Sequence, residues 1–369
     1  MILKTDCKHF PGDRPCYFNK QFGTICTNCE NYSPSNFKII VLKFDAIGDV
    51  LRTTSILHAI KEKYHDAHIT WLTKKNASEI FVNNPLVDKL LFIEDASTLP
   101  TLMTTKFNVL IHPDTSLQSA SFATIISSDK KYGFVLSESG NIIPMNDSAE
   151  KWLEMGAFDQ VKKLNQNSYQ KIIHDIAELD YNFGEIIINL SETEKSFRDE
   201  FISRNNLSEY KTIIGLNTGA GSRWQLKQWT IEGFIQLINK FATQDDICLL
   251  LYGGPDEKER NEKIKSLFPS VIDTGTNNSI REFFSLVDVS HIFITGDTMG
   301  LHAATALRKK VISFFGPTSS NEIESYGRVV KIVSDLDCLV CYKSKCDFNP
   351  NCMNSISVEK IYSEIKKLI

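Results

Sequence analysis

The hydrophobic positions along the first half of the chain fall into short continuous runs separated by longer amphipathic stretches. These runs predict buried strands at residues 38–44, 68–73 and 109–112, and the first is followed by a turn and a helix over residues 49–64. Continuous apolar strands that alternate with helices are typical of a parallel sheet covered on both faces. The pattern therefore predicts a doubly wound α/β fold for this half.

A second alternating series follows a mainly helical stretch at residues 147–180 and a connecting passage at 179–190. Its predicted strands are residues 212–217, 247–252, 291–295 and 311–315, and its helices start at 192 and near Thr230, Pro255, Ser279 and Thr298. No repeat of about 20–50 residues is present, which disfavours a solenoid. We predict two facing Rossmann-like domains, 37–190 and 191–335, with small cysteine-rich modules at 1–36 and 336–369.

Composition narrows the class of protein. The 369 residues are 42% hydrophobic and 23% charged, as in globular proteins, and the net charge of -4 disfavours a nucleic-acid partner. Neither a signal peptide nor a stretch of about 20 apolar residues that could span a bilayer is present. We therefore expect a cytoplasmic protein, with contact to the cytoplasmic face of the inner membrane left open.

Eight of the nine cysteines form two quartets, one at each end of the chain. Clustered cysteines in the cytosol more often bind metal than form disulfides, so we predict structural metal sites. Zinc is the default for four sulfur ligands, whereas iron and iron–sulfur clusters use the same ligands. Unconnected thiols, redox-sensitive pairs and one mixed site remain alternatives. The quartets are Cys7, Cys16, Cys26 and Cys29, and Cys338, Cys341, Cys346 and Cys352; Cys248 is interpreted as a small buried hydrophobe.

Three strand-to-helix connections in the second half have chemistry that suits a nucleotide. In parallel sheets, ligands bind beyond the carboxyl ends of the strands, where loops meet helix N-termini. The connection at residues 217–227 combines glycines, which let amides turn inward, with hydroxyl and cationic side chains, as a diphosphate requires. A plain glycine-rich connection with surface cations is the alternative. The candidate residues are Thr218, Gly219, Gly221, Ser222, Arg223 and Lys227.

The other two connections follow the strands at 247–252 and 291–295. In the earlier one, a carboxylate after Gly254, Asp256 or Glu257, is placed to bond ribose hydroxyls, although an acid in a first helical turn also satisfies the helix dipole. In the later connection Asp297 is expected to cap a helix whose free amides hold a phosphate oxygen. The candidates there are Asp297, Thr298, Met299, Gly300 and His302. Neither a P-loop nor a Gly-x-Gly-x-x-Gly after a strand is present, which disfavours an ATPase or a dehydrogenase.

The turn at residues 45–54 directly follows the first strand and contains Gly48-Asp49. A carboxylate on such a turn, facing the nucleotide of the other domain, is placed to take a proton from an attacking hydroxyl. An aspartate that caps its own helix is the alternative, and spacing alone favours it. Asp335-Leu336-Asp337 fits the Asp-x-Asp pattern of metal-dependent transferases, but it lies away from every nucleotide loop and is interpreted as chance.

Taken together, these segments resemble glycosyltransferase family 9, the ADP-heptose heptosyltransferases. The matching segments, in order across residues 38–320, are KIIVLKFDAIGDVLRTT, GLNTGAGSRWQLKQWTIEGF, LLYGGPDEKE and TGDTMGLHAATALRKKVISFFGPTS. The resemblance implies a GT-B fold with the acceptor in the N-terminal domain and the donor in the C-terminal domain. It implies inverting transfer of a heptose from ADP-heptose to a hydroxyl of a lipopolysaccharide-type glycan or a protein, without a catalytic metal.

The resemblance also implies roles for single residues. Asp49, next to Gly48, is the general base, and Lys43 faces the acceptor or the donor phosphates. Lys227 binds phosphate, Glu257 lies near the ribose, and Asp297, Thr298 and His302 meet the diphosphate–sugar region. The chain departs from better-known members at Met299-Gly300-Leu301, which concerns the contacts to the sugar and hence the identity of the donor.

The C-terminal cysteines resemble the arrangement that holds iron in the autotransporter-modifying branch of the family. Two other readings of the whole chain remain open: a non-catalytic binding or assembly protein on the same scaffold, and a nucleotide-sugar epimerase. The acceptor, a donor other than ADP-heptose and the oligomeric state are also left open.

Overall fold

Two six-stranded sheets form the frame of the molecule. The computed structural model describes residues 2–343 and 345–369, apart from the side chains of Ser222, Arg223 and Gln225. The strands of the first sheet are β1 Phe37–Leu42, β2 Ala67–Thr73, β3 Lys89–Phe92, β4 Lys106–His112, β5 Ser127–Leu136 and β6 Ile142–Pro144. Those of the second are β7 Thr212–Asn217, β8 Ile247–Tyr252, β9 Ile272–Asp273, β10 Ile292–Gly296, β11 Lys310–Phe315 and β12 Val329–Val333.

The two sheets have the same topology. The first is ordered β3-β2-β1-β4-β5-β6 and is parallel except for the β5–β6 pair, and the second is ordered β12-β11-β10-β7-β8-β9. In each sheet the strand order runs outward in both directions from one central pair, β1 and β4 in one sheet and β7 and β10 in the other. This pair is the topological switch point of the sheet. Ligands of open α/β sheets bind at this switch point, beyond the carboxyl ends of the strands.

The helices cover both faces of the sheets, as the sequence predicts. They are α1 Tyr17–Phe22, α2 Ile47–Thr53, α3 Ile56–Lys63, α4 Thr98–Thr104, α5 Leu117–Ile125, α6 Asp147–Ala157, α7 Asp159–Leu164, α8 Tyr169–Ile176, α9 Glu192–Arg204, α10 Ile231–Phe241, α11 Lys258–Leu267, α12 Ile280–Val289, α13 Met299–Ala306 and α14 Val358–Leu368. None of the helices within the described residues is long and apolar enough to cross a bilayer.

The predicted helix over residues 49–64 is wrong as a single element, because α2 ends at Thr53 and α3 begins at Ile56. The hydroxyls of Thr53, Thr54 and Ser55 donate hydrogen bonds to carbonyls three or four residues earlier in α2. Such side-chain bonds compete with the helical ladder and often bend or end a helix. Because the helix is broken here, the orientation of α2 is set separately from that of α3.

The two domains share apolar packing. The core of the first domain, built on Ile39, Val41 and Trp71, continues into Phe284 and Ala303 of the second domain. Arg281 crosses the same boundary and donates to the Asn189 carbonyl over 2.6 Å. The contact fixes how the switch points of the two sheets face each other.

Candidate functional site

The first turns of α2 and α13 meet across the cleft between the domains. A Cβ atom added to Gly48 would lie 3.4 Å from the Cα atom of Met299 and 3.4 Å from Cδ2 of His302. The loop after β1 and the loop after β10 are therefore in direct contact. Three residues predicted from different halves of the sequence, Gly48, Met299 and His302, are brought to one place.

Asp49 occupies the third position of α2, on the cleft side of this contact. One carboxylate oxygen lies 2.8 Å from Nη2 of Arg52, and the other accepts the Ala46 N–H over 3.3 Å. The side chain is 35% exposed, so a substrate hydroxyl can reach it. Burial acts to raise the pKa of Asp49, but the nearby cations Arg52 and Lys43 outweigh it and hold the pKa well below its usual value. Asp49 thus caps its own helix and also faces the cleft as a carboxylate.

A network of charges lies behind Asp49. Lys43 is buried, and its Nζ atom stands 3.4 Å from the carboxylate of Asp114, which follows β4. Burial acts to lower the pKa of Lys43, but Tyr169 and the carboxylates of Asp114 and Asp49 raise it above its usual value. The guanidinium of Arg52 lies 3.7 Å from the centre of the Tyr169 ring. The first-domain side of the cleft is therefore built of paired charges.

The second-domain side begins at the end of β7. The amide nitrogen of Asn217 donates to the hydroxyl oxygens of Thr295, over 2.8 Å, and Thr298, over 3.2 Å. The Thr298 hydroxyl oxygen in turn accepts the Gly300 N–H over 3.1 Å and caps α13. Thr298 is therefore the capping residue, and the prediction that Asp297 fills this position is wrong.

Asp297 instead pairs with Lys227, whose Nζ atom is 2.8 Å from the carboxylate. Burial acts to raise the pKa of Asp297, but Lys227 and His302 lower it below its usual value. The turn that carries Lys227 lies so close to β10 that a Cβ atom on Gly296 would be 2.3 Å from the Lys227 carbonyl oxygen. Only glycine permits this approach, which holds the predicted phosphate-binding lysine against the strand end.

Glu257 connects the predicted loop at residues 217–227 with its own loop after β8. Its buried carboxylate accepts the Gly221 N–H over 3.1 Å and the Gly254 N–H over 2.8 Å. A Cβ atom on Gly219 would lie 2.0 Å from the same carboxylate. These amides are arranged to hold an anionic oxygen, and here the protein supplies one itself.

Other predicted donor-site residues differ in how they are placed. The Thr218 hydroxyl donates to the buried Asn261 side chain over 2.6 Å and so supports the loop from behind. His302 is buried, and burial together with Arg52 lowers its pKa to about 4, so the imidazole is neutral at pH 7. Ser222 and Arg223, both predicted to bind phosphate, have side chains outside the described residues.

A cavity of about 500 Å³ opens beside Arg52, at the boundary of the two domains. The first domain contributes Trp152 and Lys162 to its wall, the second domain contributes Glu322, and the C-terminal cysteine-rich segment contributes Tyr342. The Tyr342 hydroxyl donates to Glu322 over 3.0 Å, and the Lys162 ammonium lies 4.3 Å from the centre of the Tyr342 ring. Aromatic and cationic side chains therefore line this space, and one of the cations, Arg52, is the ion-pair partner of Asp49.

Sequence reasoning missed several residues of this cleft. Arg52 lies one helical turn after Asp49, at the spacing at which opposite charges pair on a helix, and this signal was available. Asp114 and Asn217 stand at the carboxyl ends of β4 and β7, which are the switch-point strands. Tyr169, Trp152 and Tyr342 reach the cleft only through tertiary packing and leave no local signal.

Each cysteine quartet lines one cavity, and the two cavities are separate. All nine thiols are free, and Cys248 is buried in the second-domain core, as interpreted from its apolar surroundings. Burial and the neighbouring thiols Cys341 and Cys346 raise the pKa of Cys352 to about 11. Among residues 2–343 and 345–369, no three His, Cys, Asp or Glu side chains stand close enough to hold a metal ion. Metal binding by the quartets stays a prediction.

Three solved structures of glycosyltransferases share this fold. The chain superposes on a family 9 glycosyl transferase from Veillonella parvula with a TM-score of 0.71 at 16% identity, over 90% of this chain and 97% of that one. It superposes on the E. coli heptosyltransferase WaaC with ADP-2-deoxy-2-fluoro heptose with a TM-score of 0.61 at 14% identity, over 90% and 100%. The iron-containing dodecameric glycosyltransferase TibC of enterotoxigenic E. coli is also similar, with a TM-score of 0.54 at 11% identity, over 90% and 78%.

Relatives that are similar in sequence are named heptosyltransferases as well. Lipooligosaccharide heptosyltransferase 2 of Campylobacter jejuni is 26% identical over 57% of this chain and 67% of its own length. Lipopolysaccharide core heptosyltransferase OpsX of Haemophilus influenzae is 22% identical over 89% of this chain and 96% of its own. The profile of glycosyltransferase family 9 (heptosyltransferase) matches residues 97–351, more than half of the sequence. The chain belongs to glycosyltransferase family 9, the heptosyltransferases.

Proposed function

We propose that this glycosyltransferase moves a heptose from ADP-heptose, with inversion, to a hydroxyl of a lipopolysaccharide-type glycan, and that Asp49 is the general base. The observation that carries the proposal is the position of the Asp49 carboxylate. It is one-third exposed on a first-domain turn that touches the first turn of α13 in the second domain. The family profile begins after Asp49, so its role is argued from this geometry and not from the match.

The reaction follows from the two sides of the cleft. The acceptor oxygen attacks the anomeric carbon as the bond from that carbon to the phosphate oxygen breaks, and the acceptor proton passes to Asp49. The pair of electrons of the broken bond leaves on ADP. Lys227 and the positive N-terminal end of the α13 dipole stabilise the negative charge that develops there. The close packing of the two domains excludes water that would otherwise hydrolyse the donor.

Three observations support a nucleotide diphosphate on the second domain. The Gly221 and Gly254 amides already bind a carboxylate, Lys227 lies beside the strand end, and α13 is capped so that its first turn faces the cleft. A phosphate oxygen that takes the place of the Glu257 carboxylate would release Glu257 to accept ribose hydroxyls. The similarity to WaaC, which has been solved with an ADP-heptose analogue, favours ADP-heptose over other nucleotide sugars.

The cavity beside Arg52 supports a glycan acceptor. Sugar rings pack on aromatic faces, and Trp152 and Tyr342 supply two of them. Arg52 and Lys162 favour an acceptor that carries negative charge. The names of the relatives from Campylobacter jejuni and Haemophilus influenzae place those proteins on lipooligosaccharide and lipopolysaccharide, which agrees with this choice over a protein acceptor. A cytoplasmic location fits such a substrate and stays a prediction.

The C-terminal cysteine segment adjoins the same cavity. The Val340 N–H donates to the Gly316 carbonyl over 2.9 Å, and the Tyr342 N–H donates to the Pro317 carbonyl over 2.9 Å. These bonds hold Tyr342 at the acceptor wall. A structural zinc or iron ion on Cys338, Cys341, Cys346 and Cys352 would fix the segment and with it Tyr342; it takes no part in the chemical step.

The experiment that tests the function is titration calorimetry with ADP, ADP-heptose, UDP-glucose and GDP-mannose, followed by a transfer assay with a heptose-deficient lipopolysaccharide core. Selective binding of ADP-heptose and a glycosylated core would support the proposal. Binding of another nucleotide sugar would overturn the donor assignment. A changed sugar nucleotide formed without acceptor would indicate an epimerase, and no binding or turnover would indicate a binding or assembly protein.

A further inference from the structure

The N-terminal segment has a defined conformation but no core of its own. None of the described residues 2–36 is buried, and apolar side chains stand exposed, among them Ile2 at 63%, Leu3 at 61% and Phe22 at 70%. Its regular structure consists of the six-residue α1, a short 3-10 turn at Cys26–Asn28 and the isolated bridge between Cys7 and Pro34. Segments of this size without a core usually need a disulfide or a metal to stay folded.

The four cysteines stand where this fold is joined together. Cys7 forms the bridge to Pro34, and Cys16 is the residue immediately before α1. Cys26 begins the 3-10 turn and Cys29 follows its end. A cross-link among these four positions would hold every element of the segment at once.

All four thiols line one cavity of about 220 Å³, whose remaining wall is mainly apolar, with Phe10, Phe18 and Ile25 among its residues. The C-terminal quartet differs. Its cavity is about 40 Å³, and Cys352 belongs to the second-domain core with Met353 and Ile356. The C-terminal segment is therefore anchored in a domain core, whereas the described part of the N-terminal segment has ring contacts and hydrogen bonds but no buried side chain.

We propose that Cys7, Cys16, Cys26 and Cys29 bind one divalent transition-metal ion as a tetrahedral tetrathiolate site, and that this ion is the structural core of residues 1–36. Four thiolates are the ligand set of structural zinc and of mononuclear iron sites. The sulfur atoms share the cavity without standing at ligand distance from one another, so binding draws them inward. The spacing Cys26-x2-Cys29 across a tight turn lets two ligands reach one ion.

The test is the metal content of the full chain, expressed with zinc and iron in the medium, together with that of two quadruple variants. One carries Cys→Ser changes at positions 7, 16, 26 and 29, and the matched control carries them at 338, 341, 346 and 352. We expect the N-terminal variant to lose one equivalent of zinc or iron per chain relative to the parent protein, and X-ray absorption of that equivalent to show four sulfur neighbours.

Two further measurements use the full chain or the C-terminal variant, so they do not depend on the folding of the N-terminal variant. Co²⁺ added to metal-stripped full chain should give the visible bands of a tetrahedral thiolate site, and these bands should persist in the C-terminal variant. Limited trypsin digestion should cut the stripped chain after the exposed residues Lys8 and Lys20 and spare the metal-loaded chain. Metal content that does not change in the N-terminal variant, or a disulfide among these four cysteines in protein purified under nitrogen, would overturn the proposal.

Discussion

The two sides of the cleft are built on sheets of the same topology, yet they carry opposite chemistry. The first-domain side consists of paired charges: Lys43 with Asp114, and Asp49 with Arg52. The second-domain side consists largely of amides and hydroxyls around the ends of β7 and β10, together with the ion pair between Lys227 and Asp297. Backbone amides can hold an anionic diphosphate, whereas an ionised carboxylate can accept a proton. We therefore expect the chemical step to depend on the first domain and donor binding on the second, and single variants can separate the two.

The largest effect is expected for Asp49→Asn. The amide keeps the size of the side chain but cannot take the acceptor proton, so transfer should fall by about 10²–10⁴-fold. Binding of ADP, measured by calorimetry, should stay within a few-fold because the second domain is unchanged. Turnover in a coupled ADP-release assay checks the first expectation.

Asp45→Asn is the matched control for this variant. Asp45 lies on the same turn, and its side chain is 48% exposed and paired with Lys74. We expect its transfer rate to remain close to that of the parent chain. Equal losses in the two variants would show that the turn, and not the Asp49 carboxylate, is what matters.

The loops on both sides of the cleft can be located from the sequence because they directly follow buried strands. Apolar runs identify those strands clearly. The positions of Asp49, Lys227 and Glu257 in these loops could therefore be predicted. The contact of Gly48 with Met299 and His302 could not, because it depends on how two domains pack. The mistaken cap at Asp297 has the same origin, since its carboxylate is drawn to Lys227 from another loop and leaves the cap to Thr298.

The next effect is expected for Lys227→Met on the donor side. The change removes a charged hydrogen-bond donor from the phosphate site, which corresponds to about 1.5–3 kcal/mol and hence about 10–100-fold weaker binding of ADP. The loss should appear in the dissociation constant for ADP as well as in the KM for the donor. Lys258→Met, at a side chain that is 65% exposed on α11, is the control and should bind ADP normally. A Lys227→Met protein that binds ADP normally would remove this lysine from the donor site.

A smaller effect concerns the pH dependence of the first-domain side. Arg52 and Lys43 hold the pKa of Asp49 well below its usual value, so the carboxylate is ionised throughout the neutral and mildly acidic range. The acid limb of kcat/KM that belongs to Asp49 should therefore lie below about pH 4 in the parent chain. Arg52→Gln removes the main charge that lowers this pKa, and the limb should move to higher pH.

The control for this pH dependence is Lys162→Gln, which removes a cation from the cavity beside Arg52 and leaves Asp49 and its partners unchanged. It should raise the acceptor KM and leave the position of the acid limb unchanged. An acid limb near neutral pH in the parent chain, unaffected by Arg52→Gln, would contradict the assignment of the base.

The smallest effect is one of stability and concerns His302, where the two sides meet. Its folded-state pKa is about 4, against 6.5 for an unperturbed histidine, so between these values the unfolded chain binds more protons than the folded one. The free energy of unfolding should therefore fall as the pH is lowered from 6.5 towards 4, and His302 accounts for ~2 kcal/mol of this loss at pH 5. Urea denaturation of His302→Asn at pH 7.5 and pH 5 should show a loss smaller by that amount than in the parent chain. His65→Asn, at an exposed position before β2, should leave the loss unchanged. Identical losses in both variants would mean that folding does not lower the pKa of His302, so that the folded cleft carries an imidazolium at pH 5.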